Sequence, residues 1–158
     1  MNFGNLFFWG FIATIVLSVI MAASRPLGMS RLDLPFLLGT MVTPNRNKAP
    51  WIGFFMHLIM GWLFAMIYGV AFESTGWHTW WFGVIAGFVH SLAVLTVGLE
   101  LMSFMHPRMA NQAHGPTPTK QLQPPGFFAR NYGSATALVT IVSHMIYGAI
   151  LGYFYAGM

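Results

Sequence analysis

The chain has 158 residues, of which 56% are hydrophobic and only 6% are charged, with seven Lys or Arg and three Asp or Glu. A soluble domain carries about a quarter charged residues, so this composition excludes an ordinary water-soluble globule, a disordered chain and a nucleic-acid-binding protein. The chain contains no Cys, which excludes disulfides, thiolate metal sites and cysteine nucleophiles.

Four apolar runs predict four transmembrane helices. Crossing a bilayer takes about 20 apolar residues, and runs of this kind cover residues 3–23, 51–72, 80–105 and 134–157. Hydrocarbon offers the backbone no partners, so the runs are expected to be helical. No basic residue precedes the first run, which is therefore predicted to be a retained anchor. The expected fold is all-α, a four-transmembrane-helix bundle that forms one integral membrane domain over residues 1–158.

Two Pro-rich polar stretches, residues 25–50 and 106–133, connect these runs. They hold all seven basic residues: Arg25, Arg31, Arg46, Lys48, Arg108, Lys120 and Arg130. The positive-inside rule places both stretches in the cytoplasm and both termini on the periplasmic side. Within the first stretch, residues 34–42 are apolar but too short to span, which indicates an interfacial or re-entrant segment.

The second and fourth runs share a pattern, offset by 87 positions. The set in the second run is His57, Gly61, Ala65 and Gly69, and its counterpart in the fourth is His144, Gly148, Gly152 and Ala156. The first and third runs align more weakly, with Gly10 and Ala13 on Gly83 and Ala86. We expect a parallel duplication of one helical hairpin, although chance similarity of apolar helices is the alternative for the weaker match.

Each of these two sets lies on one helix face, because its members are spaced by four. Small residues at this spacing let helices approach closely, and Gly83 and Gly87 supply a similar stripe on the third run. The sequence therefore predicts helix packing through small residues, with a His beside each of the two longer stripes.

Three His residues and one Glu fall inside the apolar runs. His90 and His144 each lie roughly 15 Å deep, whereas His57 and Glu100 lie within roughly 10 Å of the cytoplasmic end. Two same-depth pairs are possible: His90 with His144, and His57 with Glu100. Such residues usually face the protein interior and mark function, but a buried His can also simply hydrogen-bond a neighbouring helix and determine packing.

A pair of His residues at one depth has a sharper interpretation, the axial ligation of a tetrapyrrole. His90 and His144 on facing helices could hold a haem, and a single His with a small residue four positions earlier, such as Ala86 before His90, could bind chlorophyll. No cofactor is favoured, because membrane haem sites often have two His on each of two helices and that pattern is absent. No metal site or serine-hydrolase site is predicted.

Several motifs together resemble an uncharacterised family of small bacterial four-helix integral membrane proteins. They are LDLPFLLGTM at 32–41, HPRMA at 106–110, HGPTPT at 114–119, PPGFFARNYG at 124–133 and HMIYGAILG at 144–152. The resemblance covers nearly the whole chain. It implies a protein of the bacterial cytoplasmic membrane, and it carries no assigned activity, cofactor or functional residues.

The leading functional hypothesis is a non-enzymatic membrane subunit. Its expected partners are the lipid bilayer and either a second copy or a larger membrane complex, such as a respiratory or photosynthetic assembly. A haem- or chlorophyll-binding protein that uses His90 and His144 is one alternative. A small oligomeric transporter or proton conductor that uses Glu100 and the intramembrane His residues is the other.

Overall fold

The structure is a computed structural model that describes residues 2–111 and 115–156, with only the backbone at Ala156. Within these residues it is helical without a strand, apart from one isolated bridge between Met109 and Leu122. Gly157 at the predicted end of the last span, His114 of the loop motif and the side chain of Ala156 lie outside the described residues.

Four helical segments are long and apolar enough to cross a membrane. They are α1 (Phe3–Ser24), α3 (Ala49–Thr75), a segment over Trp80–Met105 and α6 (Thr136–Ala156). The third segment consists of α4 (Trp80–Ala93), a π-helical turn (Val94–Gly98) and α5 (Leu99–Met105). The chain is therefore a multi-pass membrane protein, and the prediction of an all-helical membrane fold is confirmed, with bounds within three residues of the predicted runs.

The short apolar stretch of the first loop forms a nine-residue helix, α2 (Leu34–Val42). The Asp33 side chain begins it by accepting a hydrogen bond from the backbone N–H of Phe36. The helix lies against the beginning of α3 at very short range, since a Cβ on Gly53 would come 1.7 Å from the Pro35 carbonyl oxygen. Only glycine allows this contact, so α2 is tied to α3 and does not span.

Among the long helices, α1 packs against both α3 and α6, and α6 packs against α4. The backbones of α3 and α4 barely approach each other. Aromatic side chains bridge them instead: the Phe64 ring stacks on His90 with centroids 3.8 Å apart, and Phe72 meets Phe82 at 5.9 Å. This separation leaves a gap on one side of the molecule.

Both long loops lie at the same end of the molecule and bond to each other. The backbone N–H of Arg31 donates to the Tyr132 carbonyl at 2.6 Å, and its guanidinium donates to the Asn131 carbonyl at 2.7 Å. The hydroxyls of Ser30 and Thr136 are 3.0 Å apart. Burial raises the pKa of the Tyr132 phenol to about 12, so this joint holds a neutral Tyr. We call the two long loops joined in this way, including the helix α2 of the first loop, the loop cap.

The second loop also fastens α2. Nε2 of buried His106 donates to the Leu37 carbonyl at 3.0 Å, and Nδ1 accepts from the backbone N–H of Arg108 at 3.0 Å. The Arg108 guanidinium donates to the Thr40 carbonyl at 2.5 Å. Burial lowers the pKa of His106, against the effect of the Leu37 bond and with that of Arg108. The neutral imidazole that these two bonds require is thus the favoured form.

Candidate functional site

A cavity of about 430 Å³ fills the gap between α3 and α4. Its floor is formed by α1 and α6, and the loop cap closes one end with Leu34, Leu38 and Met41 of α2. At the mouth, side chains of Met60, Leu101 and Met105 are exposed. The mouth lies between membrane-spanning helices, so it opens sideways toward lipid. Its volume falls within the usual range of ligand pockets, about 300–1,000 Å³.

The π-helical turn forms part of the cavity wall. Val94 and Gly98 of this turn line the cavity, together with Leu99 at the start of α5. A π-turn inside an α-helix shifts the helix register, and such turns occur frequently at functional sites. Here the turn lies one helical turn beyond His90, and it aims the following α5 residues Leu99 and Met102 inward while Leu101 faces out.

All three intramembrane histidines, His57, His90 and His144, line this one cavity. The rings of His90 and His144 lie edge to face with centroids 4.7 Å apart, so the structure brings this predicted pair together. Because the two rings are in direct contact, the cavity lies beside them and no space for a ligand remains between them. A tetrapyrrole could therefore reach them only from the cavity side, and one iron could not be held between both imidazoles in this arrangement.

Each histidine is held by a hydrogen bond through its Nδ1 atom. In His144, Nδ1 lies 2.8 Å from the Thr140 carbonyl, one turn earlier in α6. In His57, Nδ1 lies 3.1 Å from the Ser18 hydroxyl of α1. In His90, Nδ1 lies 3.3 Å from the Tyr68 hydroxyl of α3. The bonds of His57 and His90 join two helices, as packing histidines would.

Glu100 lies elsewhere. Its side chain is exposed on α5, it does not line the cavity, and it forms no ion pair with His57. The predicted second pair is therefore not brought together. Within the described residues, no group of three or more His or acidic side chains has the spacing to hold a metal ion.

The small residues lie in two helix contacts that flank the cavity. Gly61 and Ala65 are buried against α1, where a Cβ on Gly61 would come 1.9 Å from the Thr14 hydroxyl. On α6, Gly148 faces Gly83 of α4, and a Cβ on either would lie 2.0 Å from the other's carbonyl oxygen. The remaining predicted stripe residues Gly69, Gly87 and Gly152 are also buried.

Sequence reasoning missed the cavity and most of its wall. Six of the chain's 12 methionines line it: Met21, Met41, Met56, Met60, Met102 and Met105. Met is flexible and common at adaptable binding surfaces, so its high count was the one signal that could have pointed to such a site. The Tyr147 hydroxyl, which donates to the Gly61 carbonyl at 2.6 Å, was missed as well.

A second pocket, of about 510 Å³, lies at the loop end, away from the histidines. Its main polar groups are Arg46 and Arg108, and the bond of Arg108 to Thr40 makes it part of the loop cap. It is larger than the cavity between α3 and α4, which we call the lateral cavity, but it contains none of the buried intramembrane polar groups. The lateral cavity is therefore the better candidate for a functional site.

Comparison with models of protein families, with curated proteins and with solved structures finds no match for this chain. The resemblance noted from the loop motifs therefore stays a prediction, and the function has to be argued from the cavity.

Proposed function

We propose that this chain is a non-enzymatic subunit of the bacterial cytoplasmic membrane that binds a lipid-soluble small molecule in the lateral cavity. The observation that carries the proposal is the cavity itself: about 430 Å³, open toward lipid, with three histidines on an otherwise largely apolar wall. A few well-placed polar groups in an apolar cleft are typical of ligand sites. Among the described residues no carboxylate lines it, so the paired acids that glycosidases and aspartic proteases use are not found there.

The size and ends of the cavity favour a small molecule over a partner helix. A transmembrane helix would need a groove that runs the full depth of the bilayer, about 30 Å. This cavity ends at α2 on one side and at the stacked rings of Phe64 and His90 on the other. Accessory packing beside a larger respiratory or photosynthetic complex, or beside a second copy, would then use the outer helix faces.

We also propose that the four spanning helices form a bundle built as a duplicated hairpin. Contacts support it: α1 with α3 corresponds to α4 with α6, and small residues line both contacts. In such a duplication, the contact of α1 with α6 corresponds to that of α4 with α3. The helices α1 and α6 are in close contact, whereas α4 and α3 are separated by the cavity. The cavity therefore lies where the two halves of the proposed duplication differ.

A tetrapyrrole is the second candidate ligand, and one observation favours it. His144 bonds a backbone carbonyl through Nδ1, as metal-ligating histidines commonly do, and the residue lines the cavity. A visible spectrum of the purified protein with a Soret band that disappears in His144→Gln would establish it. The exposed position of Glu100 gives the transporter hypothesis no comparable support.

Two methionines of α3 provide a matched test of the cavity. Met60 and Met66 are 37% and 39% exposed, but only Met60 lines the cavity. We expect native mass spectrometry of protein purified in mild detergent to show a bound lipophile in the wild type and in Met66→Trp. The bulky ring in Met60→Trp should obstruct the mouth and reduce the occupied fraction at least tenfold.

Equal occupancy in Met60→Trp and Met66→Trp would contradict a ligand in this cavity. A wild-type protein that carries no small molecule and binds none when lipophiles are supplied would do the same. If such an empty protein co-purified in a fixed ratio with other membrane subunits, the accessory role predicted from the sequence would stand without the ligand.

The proposed orientation has its own test, since the chain has no native thiol. Single cysteines are placed at Asn2, at exposed Ser74 and at exposed Asn47 in the first loop. With both loops in the cytoplasm, an impermeant maleimide on intact cells should label Asn2→Cys and Ser74→Cys. Asn47→Cys should react only after the membrane is permeabilised. The reverse pattern would invert the topology.

A further inference from the structure

The hydrogen bonds around the cavity determine which ligand head it can accept, and this inference rests on the proposed function. The bond of His144 sets its tautomer. The Thr140 carbonyl can only accept, so Nδ1 of His144 must carry the proton in their 2.8 Å bond. A neutral imidazole carries one N–H, so Nε2 of His144 offers a lone pair.

In His57, too, Nδ1 carries the proton, and here the hydrogen bonds of Ser18 determine the tautomer. The Ser18 hydroxyl donates its single proton to the Thr14 carbonyl at 2.7 Å. In its 3.1 Å contact with His57 this hydroxyl must therefore accept, and Nδ1 of His57 carries the proton. Nε2 of His57 is then an acceptor too. Among the described residues, no group bonds Nε2 of either ring, and neither atom is fully enclosed.

The hydroxyl groups in the wall have no proton left for a ligand. Thr14 donates to the Gly10 carbonyl at 2.6 Å, Thr140 to the Thr136 carbonyl at 2.9 Å, and Tyr147 to the Gly61 carbonyl at 2.6 Å. The one imidazole whose tautomer stays open is His90, because its Tyr68 partner can either donate or accept. The polar groups that the cavity wall offers to a ligand are thus almost all hydrogen-bond acceptors.

A cation would also supply donors, but the wall does not suit one. Among the residues that the structure describes, no carboxylate lines the cavity. Asp33 lies across a separate void of about 40 Å³ from His57, and its carboxylate already pairs with Arg25. An unpaired charge in such a setting is costly, so the matching donor is a neutral O–H. For the same reason the two rings keep the neutral form on which their tautomers depend.

We infer that the ligand is a neutral lipophile whose head donates a hydroxyl proton to Nε2 of His144 or of His57. Two lipid-soluble sources share this chemistry: a prenylated hydroquinone and a diacylglycerol. A benzoquinone offers carbonyl oxygens only, which would face these lone pairs without a proton between them. The site therefore selects the reduced, hydroxyl-bearing partner of such a pair by hydrogen-bond polarity.

The test compares matched probes on the wild-type protein in phosphatidylcholine nanodiscs, without oxygen. The probes are a prenylated hydroquinone, its benzoquinone, its dimethyl ether and a diacylglycerol, with bound fractions read by native mass spectrometry. We expect the hydroquinone to bind at least tenfold more tightly than the quinone and the ether, which lack the donor protons. Tighter binding of hydroquinone or of diacylglycerol identifies the source, and either supports the inference.

A substitution tests the acceptor role separately. In His144→Gln the amide can donate as well as accept, so the preference for hydroquinone over quinone should fall severalfold. The control is His78→Gln, because His78 does not line the cavity. This variant should keep the full preference for hydroquinone over quinone. If His144→Gln does not fold, the comparison of probes on the wild type still decides.

Quinone or ether binding as tight as hydroquinone binding would overturn the inference, and the proposed function would survive it. The same holds if the purified protein carries a lipophile of its own but binds none of the four probes. If the protein neither carries a lipophile nor binds a probe, both the inference and the proposed function fail.

Discussion

Replacing Gly148 by Leu is expected to lower the melting temperature of the detergent-solubilised protein by about 10 °C. A Cβ at this position would lie 2.0 Å from the Gly83 carbonyl oxygen, and a backbone atom cannot move aside unless α4 shifts away from α6. Overpacking of this kind costs about 3 kcal/mol, at the upper end of the usual range. For a chain of this length each kcal/mol corresponds to roughly 2–4 °C.

The matched control is Gly4→Leu. Gly4 also lies in a spanning helix, but it is exposed, and the atom closest to an added Cβ is the Asn2 side-chain oxygen at 3.7 Å. Thermal unfolding followed by circular dichroism should show no loss of stability in this variant. An unchanged melting temperature in Gly148→Leu would mean that α4 and α6 are not in close contact at Gly83.

A second large effect is expected from Gly53→Leu, which should separate α2 from α3. Its Cβ would lie 1.7 Å from the Pro35 carbonyl oxygen and 2.6 Å from the Gly39 nitrogen, both backbone atoms of α2. A cysteine at buried Leu38 reports the separation, because the chain has no other thiol. We expect Leu38→Cys to react at least tenfold faster with a thiol reagent once Gly53→Leu is added.

This change should also weaken ligand retention, since Leu34, Leu38 and Met41 of α2 close one end of the cavity. Adding Gly4→Leu in place of Gly53→Leu should leave the reaction of Leu38→Cys slow. Equal rates in the two backgrounds would show that α2 does not depend on its close contact with α3.

The positions of the long helices followed from the sequence because hydropathy alone determines which segments cross the bilayer. The arrangement of α2 did not follow. The sequence shows that residues 34–42 are too short to span, but the contact of Gly39 and Gly53 depends on how two helices meet in space. Nothing in the spacing of either glycine within its own helix indicates its partner.

The histidines illustrate the difference between depth and direction. Residue counts place His90 with His144, and the structure brings these rings together. The same counts place His57 with Glu100, yet Glu100 faces outward. Depth follows from a rise of 1.5 Å per residue, whereas direction changes by about 100° per residue and also depends on the π-turn. That turn has no composition of its own by which it could be recognised.

The loop cap has a consequence for how the protein is made. Ser30 emerges early in synthesis, but its partner Thr136 follows 106 residues later. At usual rates of translation this delay is on the order of 10 s. By the end of that interval the first two spanning helices have been made, while the loop between them still lacks its partners Tyr132 and Thr136. A chain truncated after the third span lacks both of these residues, so its first loop cannot form the hydrogen bonds of Arg31 and Ser30 that join it to the rest of the protein.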